Sequence, residues 1–103
     1  MSEQRTAPAD CRSMDEVRHG VDRLDEQIVT LLAERFRYMD AAARIKPGRD
    51  AVRDEWRKAD VLAKVRRSAE GAGAPAERIV PLYDALVESS IAYEFDRFDA
   101  TRG

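Results

Sequence analysis

The chain has 103 residues, 18 basic and 20 acidic side chains and a formal net charge of −2. Its length suits one domain, and its nearly balanced charge gives no indication of nucleic-acid binding. One cysteine and one histidine exclude an internal disulfide framework and the usual kind of zinc site, and no apolar run approaches the roughly 18 residues of a membrane span. With no signal peptide at its start, we expect a cytoplasmic protein that needs no metal or cofactor and binds neither nucleic acid nor membrane.

Charge is unevenly distributed along the sequence. Residues 44–67 carry nine basic and four acidic side chains, whereas the segments on both sides are net acidic. A charge run of this kind is typical of a solvated helix face, and a binding site for an anion is the alternative interpretation.

The first periodic segment predicts an unusually long helix. Ser13 and Glu16 have the spacing of a capping box, and apolar residues then recur at alternating intervals of four and three, which is a heptad seam. These residues are Val17, Val21, Leu24, Ile28 and Leu31. The pattern continues to Ile45, so the helix has about 32 residues and a length of roughly 48 Å. Because a compact chain of this size is only ~33 Å across, we expect the helix to pack along the same helix of a second copy.

Two more helices follow. The spacing of apolar residues predicts one helix from about residue 50 to 70, with Trp56 on its apolar stripe, and another from Pro75 to about residue 98, with Leu82 on its stripe. No segment alternates with period two. We therefore predict an all-α homodimer with three helices per chain. Residues 13–99 would form the helical domain, preceded by a flexible polar leader (residues 1–12) and followed by a flexible tail (residues 100–103).

Several polar side chains occupy positions where the helical pattern predicts apolar ones. Arg35 continues the seam of the first helix, and Lys46 lies 11 residues further on, about three turns, on the same face. Ser90 and Glu94 are four residues apart beside the apolar stripe of the third helix. Since burying a charge is costly unless an opposite charge meets it, Arg35 and Lys46 could hold a small dianion. Structural salt bridges and positions at the edge of a stripe are the alternatives.

Two other arginines bear on this hypothesis. Arg57 lies one turn into the second helix, whose N-terminus has free N–H groups suited to an anion. Arg18 precedes Arg35 by 17 residues, roughly 25 Å along the helix, so it is either solvent-exposed or serves a site on a partner chain. No nucleophile is paired with a base, which leaves covalent catalysis without candidates. The remaining residues suit a reaction that needs a bound dianion and a few hydrogen-bond donors.

The order and spacing of these residues resemble the all-helical chorismate mutase family. An arginine, an Asp-rich segment, Leu-Leu-x-x-Arg, a lysine eleven residues later and Val-Arg-Asp-x-x-Arg follow one another within residues 13–98. The resemblance implies an interlocked homodimer with six helices and two identical sites. It also implies the conversion of chorismate to prephenate, a step of aromatic amino acid biosynthesis.

The resemblance implies roles for individual residues. Arg18 would cross into the site of the partner chain, while Arg35 and Arg57 would bind the two carboxylates of the substrate. Lys46 would donate to the ether oxygen of the substrate. Glu94, at a position that is usually glutamine, would also donate to that oxygen.

Three further positions affect the choice of activity. By the same resemblance, Asp54 would lie near the substrate hydroxyl, and Ser90 would lie beside one of the substrate carboxylates. Chorismate mutases commonly have a glutamate that touches this hydroxyl directly after the Arg57 position, where this chain has Lys58. That departure bears on whether chorismate is the substrate.

Two alternatives to a chorismate mutase stay open at this point. The segments Asp10-Cys11 and 22–25 resemble the isochorismate pyruvate lyases of salicylate biosynthesis, which would release salicylate and pyruvate from isochorismate. The other alternative is a non-catalytic helical dimer that acts as a binding or regulatory module. Such a module has no reason to direct Arg35, Ser90 and Glu94 toward its core, so the burial of these side chains discriminates between the interpretations.

Overall fold

A computed structural model describes residues 5–102 of the chain. Three helices make up most of it: α1 (Met14–Ile45), α2 (Glu55–Gly71) and α3 (Ala76–Arg102). Short 3-10 turns occupy Pro8–Asp10 and Arg49–Ala51. No strand occurs in these residues, which confirms the predicted all-α class, the three helices and the length of the first. None of the described helices is both long enough and apolar enough to cross a membrane.

The chain divides into two compact units, with the boundary between Arg37 and Tyr38. The first unit contains the turn Pro8–Asp10 and most of α1. The second unit contains the last part of α1, the turn Arg49–Ala51, α2 and α3.

Hydrogen bonds define the start of α1 in the first unit. Ser13 Oγ accepts from the Glu16 N–H at 3.2 Å, as the predicted capping box requires. The carboxylate of Glu16 reaches one residue further back than expected and accepts from the Arg12 N–H at 2.7 Å. It also accepts from Thr6 Oγ1 at 3.3 Å. Of the expected flexible leader (residues 1–12), residues 1–4 lie outside the described part of the chain, and residues 5–12 contain a 3-10 turn and bond to the first turn of α1.

The heptad seam of α1 is exposed in the single chain. Its five apolar side chains range from 37% exposed at Val17 to 65% exposed at Leu31. A continuous apolar stripe of this kind is the usual signature of a helix that packs against another one. Association with a second copy of the chain remains a prediction.

A small apolar core organises the second unit. It joins Ala43 near the end of α1, Val52 in the α1–α2 connection and Phe98 on α3, with Ile91 and Phe95 packed against them. Because Val52 contributes to this core, the connection between α1 and α2 is tied to α3 near the start of α2.

The observed start of α2 is later than predicted. The helix begins at Glu55 because Asp54 is its N-cap, with a side-chain oxygen that accepts the Arg57 N–H at 3.0 Å. The preceding Arg49–Ala51 forms a separate 3-10 turn. The period of the apolar residues across this segment does not distinguish such a turn from the first turn of an α-helix.

Two further expectations differ from the structure. The third helix continues to Arg102, through most of the segment expected as a flexible tail. Trp56 and Leu82 were expected on buried stripes, but they are 75% and 69% exposed. Periodicity identifies the apolar face of a helix but does not show whether the single chain covers it.

Candidate active site

An ion pair between a half-buried lysine and a buried glutamate lies in the second unit. Lys46 directly follows the last residue of α1, and its Nζ lies 2.7 Å from Oε2 of Glu94 on α3. The same ammonium donates to the carbonyl oxygen of Val52 at 3.3 Å. Glu94 is only 3% exposed, so it is not a surface residue at the edge of the stripe. The structure thus brings together two residues that are 48 positions apart in the sequence.

One oxygen of Glu94 has unused bonding capacity. Oε2 is buried and, among the described residues, receives no hydrogen bond, although the ammonium of Lys46 lies at contact distance. The contact is therefore an ion pair, and the ammonium at 2.7 Å compensates the charge of this buried oxygen. Because a carboxylate oxygen accepts hydrogen bonds, Oε2 could take one more from a donor group on a bound ligand.

Ser90 extends the buried polar surface along α3. It lies one turn before Glu94, is 3% exposed, and donates from Oγ to the Leu86 carbonyl at 2.7 Å. Arg35, in the first unit, is half-buried, whereas Arg18 is exposed. The burial of Ser90 and Glu94 argues against a purely structural or regulatory helical module, which gains nothing from polar side chains in its core.

The two candidate residues of α2 have local partners. Asp54 caps the helix by accepting the Arg57 N–H, and the Arg57 guanidinium donates to Asp60 at 2.9 Å. A hydrogen bond from Lys64 and a weaker contribution from Arg57 lower the pKa of Asp60. Asp54 and Arg57 are both exposed, so the Arg57 guanidinium can exchange Asp60 for another anion at little cost.

Lys58, the departure from the chorismate mutase pattern, is bound to α3. Its Nζ lies 2.6 Å from Oε2 of Glu88 and 3.2 Å from Asp84. Arg53 donates to the other oxygen of Glu88 at 2.7 Å. Hydrogen bonds from Arg53 and Lys58 lower the pKa of Glu88 to about 2, and the bond to Glu88 raises the pKa of Lys58. This cluster connects the start of α2 to the middle of α3.

The Glu88 cluster predicts acid sensitivity of the fold. A carboxyl whose pKa is lower in the folded chain stabilises the fold above its unfolded value and loses that contribution as pH falls. We therefore expect the melting temperature to decline between roughly pH 4.5 and pH 2, and Glu88→Gln should reduce this decline while lowering the melting temperature near neutral pH. Thermal melts across this range test the prediction, with Glu77→Gln, an exposed acid on the same helix, as the control. An identical acid decline in Glu88→Gln would contradict it.

Comparison with known proteins places the chain in a family. Residues 17–95 match the family model for chorismate mutase type II. The chain belongs to this family. It is also similar to the isochorismate pyruvate lyase of Pseudomonas aeruginosa, with 32% identity over 96 residues that cover 93% of this chain and 95% of that protein. These matches confirm the resemblance to chorismate mutases close to the lyase subgroup, and the matched range includes every candidate site residue named above.

Sequence reasoning missed three features around the site of this chorismate mutase family member. It did not identify the Val52 carbonyl as a partner of Lys46, or the cluster around Glu88. The cluster had a signal, because Asp84 and Glu88 form an acidic i, i+4 pair on α3 while the start of α2 is rich in basic residues. It also missed Arg102, which donates to the backbone at the end of α1. An arginine in the last turn of a helix carries no sequence signal for such a contact.

Proposed function

We propose that this protein is a chorismate mutase that converts chorismate to prephenate. The observation that carries the proposal is the ion pair between the half-buried Lys46 and the buried Glu94, which the fold brings together from two different helical segments. Membership of the chorismate mutase type II family supports the substrate class. The reaction rearranges one molecule: the ether C–O bond breaks as a C–C bond forms, and no proton or electron moves between enzyme and substrate.

The protein then contributes shape and electrostatics. Negative charge grows on the ether oxygen as its bond to carbon breaks, and a fixed donor stabilises that charge more strongly in the transition state than in the ground state. Lys46 is that donor in our proposal. Glu94 can be a second donor only as the neutral acid, whereas as a carboxylate it orients the Lys46 ammonium. Arg35 and Arg57 bind the two carboxylates, preferably in bidentate fashion, and hold the substrate in a reactive conformation. Ser90 completes the site beside one substrate carboxylate, and Asp54 completes it beside the substrate hydroxyl.

The proposed enzyme is a homodimer with interlocked first helices. The exposed heptad seam of α1 supports this assembly because a dimer would bury it. Arg18 lies about 25 Å along α1 from Arg35, so it acts in the site of the partner chain. Each dimer would then have two sites, and each site would use residues from both chains.

A second candidate function is isochorismate pyruvate lyase activity. The similarity to the P. aeruginosa lyase over nearly the whole chain favours it, and so does Lys58, which stands where mutases commonly have the glutamate for the chorismate hydroxyl. The same cations would bind isochorismate while it splits into salicylate and pyruvate. In that case the enzyme would serve salicylate formation rather than aromatic amino acid biosynthesis.

Kinetics on the two substrates test the proposal. The purified protein is incubated with chorismate and, separately, with isochorismate, and kcat/KM is compared for the formation of prephenate and of salicylate. We expect prephenate formation to have the higher value. A higher value for salicylate would replace the proposal by the lyase, and inactivity toward both substrates would leave a non-catalytic helical module.

Glu94→Gln is expected to raise kcat. An ionised carboxylate has no proton to donate and would repel the charge that grows on the ether oxygen. Glutamine has nearly the same shape and adds N–H donors for this oxygen.

The measurement for Glu94 is the kcat of the wild type and of Glu94→Gln on the active substrate. Glu88→Gln is the matched control, because it makes the same change on the same helix where the carboxylate binds Lys58 and Arg53, and it should keep the wild-type kcat. A kcat of Glu94→Gln at or below that of the wild type would show that Glu94 does not act on the ether oxygen.

A further inference from the structure

The C-terminal turns of α3 hold the segment that carries Lys46. A single nitrogen of Arg102, Nη2, donates to three backbone carbonyls at the end of α1: Ala43 at 2.9 Å, Arg44 at 3.1 Å and Lys46 at 3.0 Å. The last carbonyls of an α-helix have no partner within the helix. A cation placed there also interacts favourably with the helix dipole. Arg102 therefore acts as a side-chain cap for α1 that comes from another helix.

The Arg102 side chain packs against the core of the second unit. Its guanidinium carbon lies 4.1 Å from the centre of the Phe98 ring, and Phe98 belongs to the buried core with Ala43 and Val52. A guanidinium stacked on an aromatic ring loses much of its freedom to swing away. The cap is thus anchored on the same core that holds the α1–α2 connection.

A second contact holds the same connection. Arg49 pairs with Asp99 on α3 at 2.9 Å, and its guanidinium lies over the ring of Phe95 at 4.5 Å. The last two turns of α3 therefore touch the segment 46–52 through both Arg102 and Arg49. We name residues 95–102 of α3 the C-terminal clamp.

We propose that Arg102 is a positioning residue that fixes the backbone of Lys46 and thereby aims its ammonium at the site beside Glu94. Nζ of Lys46 reaches both the Val52 carbonyl and Glu94, and a shift of the backbone at Lys46 would draw it away from both. The catalytic part of this inference rests on the proposed function, in which Lys46 donates to the ether oxygen. Small displacements of a catalytic group are costly, since an error of about 1 Å can lower the rate by about 10²-fold.

Arg102→Ala is expected to lower kcat by about ten-fold and to change KM little, because the arginines that bind the carboxylates are left unchanged. Arg102→Lys should recover part of the loss, since an ammonium also has the hydrogens to cap these carbonyls. Arg97→Ala is the matched control: it removes an arginine of α3 that pairs with Asp40 on α1 and does not touch Lys46. Its kcat should stay close to that of the wild type.

A double-mutant cycle separates positioning from a general loss of structure. If Arg102 acts through Lys46, Arg102→Ala should lower kcat in the wild type but cause no further loss in a Lys46→Ala background. Equal losses in both backgrounds, or no loss in the wild type, would overturn the proposal.

Hydrogen exchange tests the clamp without an activity assay. Amides of residues 46–52 should exchange faster in Arg102→Ala than in the wild type or Arg97→Ala. Unchanged exchange in this segment would overturn the clamp even if kcat falls. Inactivity of the wild type toward chorismate and isochorismate would refute the proposed function, and faster exchange in Arg102→Ala would still support Arg102 as the residue that fixes Lys46.

Discussion

Lys46→Ala is expected to lower kcat by on the order of 10²–10³ while KM stays near its wild-type value. The ether oxygen carries little charge in the ground state and gains charge as its bond to carbon breaks, so its donor contributes mainly to the transition state. The half-buried position of the Lys46 side chain beside the buried Glu94 strengthens this effect, because electrostatic interactions are stronger away from water. Steady-state kinetics on the active substrate provides the measurement.

Two further variants sharpen the Lys46 experiment. Lys46→Arg should recover the lost activity only in part, since a planar guanidinium does not replace a compact ammonium. Lys64→Ala removes an exposed lysine that pairs with Asp60 on α2 and should behave as the wild type. A Lys46→Ala enzyme with nearly normal kcat and only a raised KM would show that Lys46 binds substrate without assisting the reaction.

Two inactive variants are expected to restore activity when their chains exchange. Arg18→Ala and Arg35→Ala each remove an arginine that we assign to the site, and each variant should be nearly inactive alone. In a mixed dimer, one site receives Arg35 from one chain and Arg18 from the other, so both arginines are present. With random exchange, half of the dimers are mixed and each has one intact site, which gives about a quarter of the wild-type activity.

The control is a pair of variants whose two substituted residues are assigned to the same chain's site. Arg35 and Arg57 are both assigned to the site of their own chain, so mixing Arg35→Ala with Arg57→Ala should restore nothing. Analytical ultracentrifugation establishes that the species are dimers and that the mixed dimers have formed. A monomeric wild type would contradict the proposal that Arg18 acts in the site of the partner chain. Verified mixed dimers of Arg18→Ala and Arg35→Ala without activity would contradict it as well.

The bounds of the helices show what local sequence signals can predict. Both ends of α1 were predictable because a Ser13 cap begins the helix and the Pro47-Gly48 pair follows its end. The start of α2 was not, because Val52 continues the helical period but belongs to the core beneath the connection. The end of α3 was also missed, since its last turn gains partners from Arg49 and from the carbonyls of α1, and these contacts are tertiary.

The candidate site shows the same division between local and long-range information. Polar residues on apolar stripes identified Ser90 and Glu94, and both are buried. Nothing in the local pattern could pair Lys46 with Glu94, since the two lie on different helices; only the resemblance to chorismate mutases joined them. The cap by Arg102 depends on where α3 ends relative to α1, which spacing along the sequence does not encode.

The capping role of Asp54 limits which other residues can occupy position 54 during evolution. Its carboxylate caps α2 through the Arg57 N–H, and in the proposed enzyme it also lies near the substrate hydroxyl. A substitution that alters substrate preference here must still cap the helix, and only asparagine, serine, threonine and glycine come close to aspartate in that role. Changes of specificity at this position should therefore use this short set of residues, and bulky apolar side chains should be absent from active relatives.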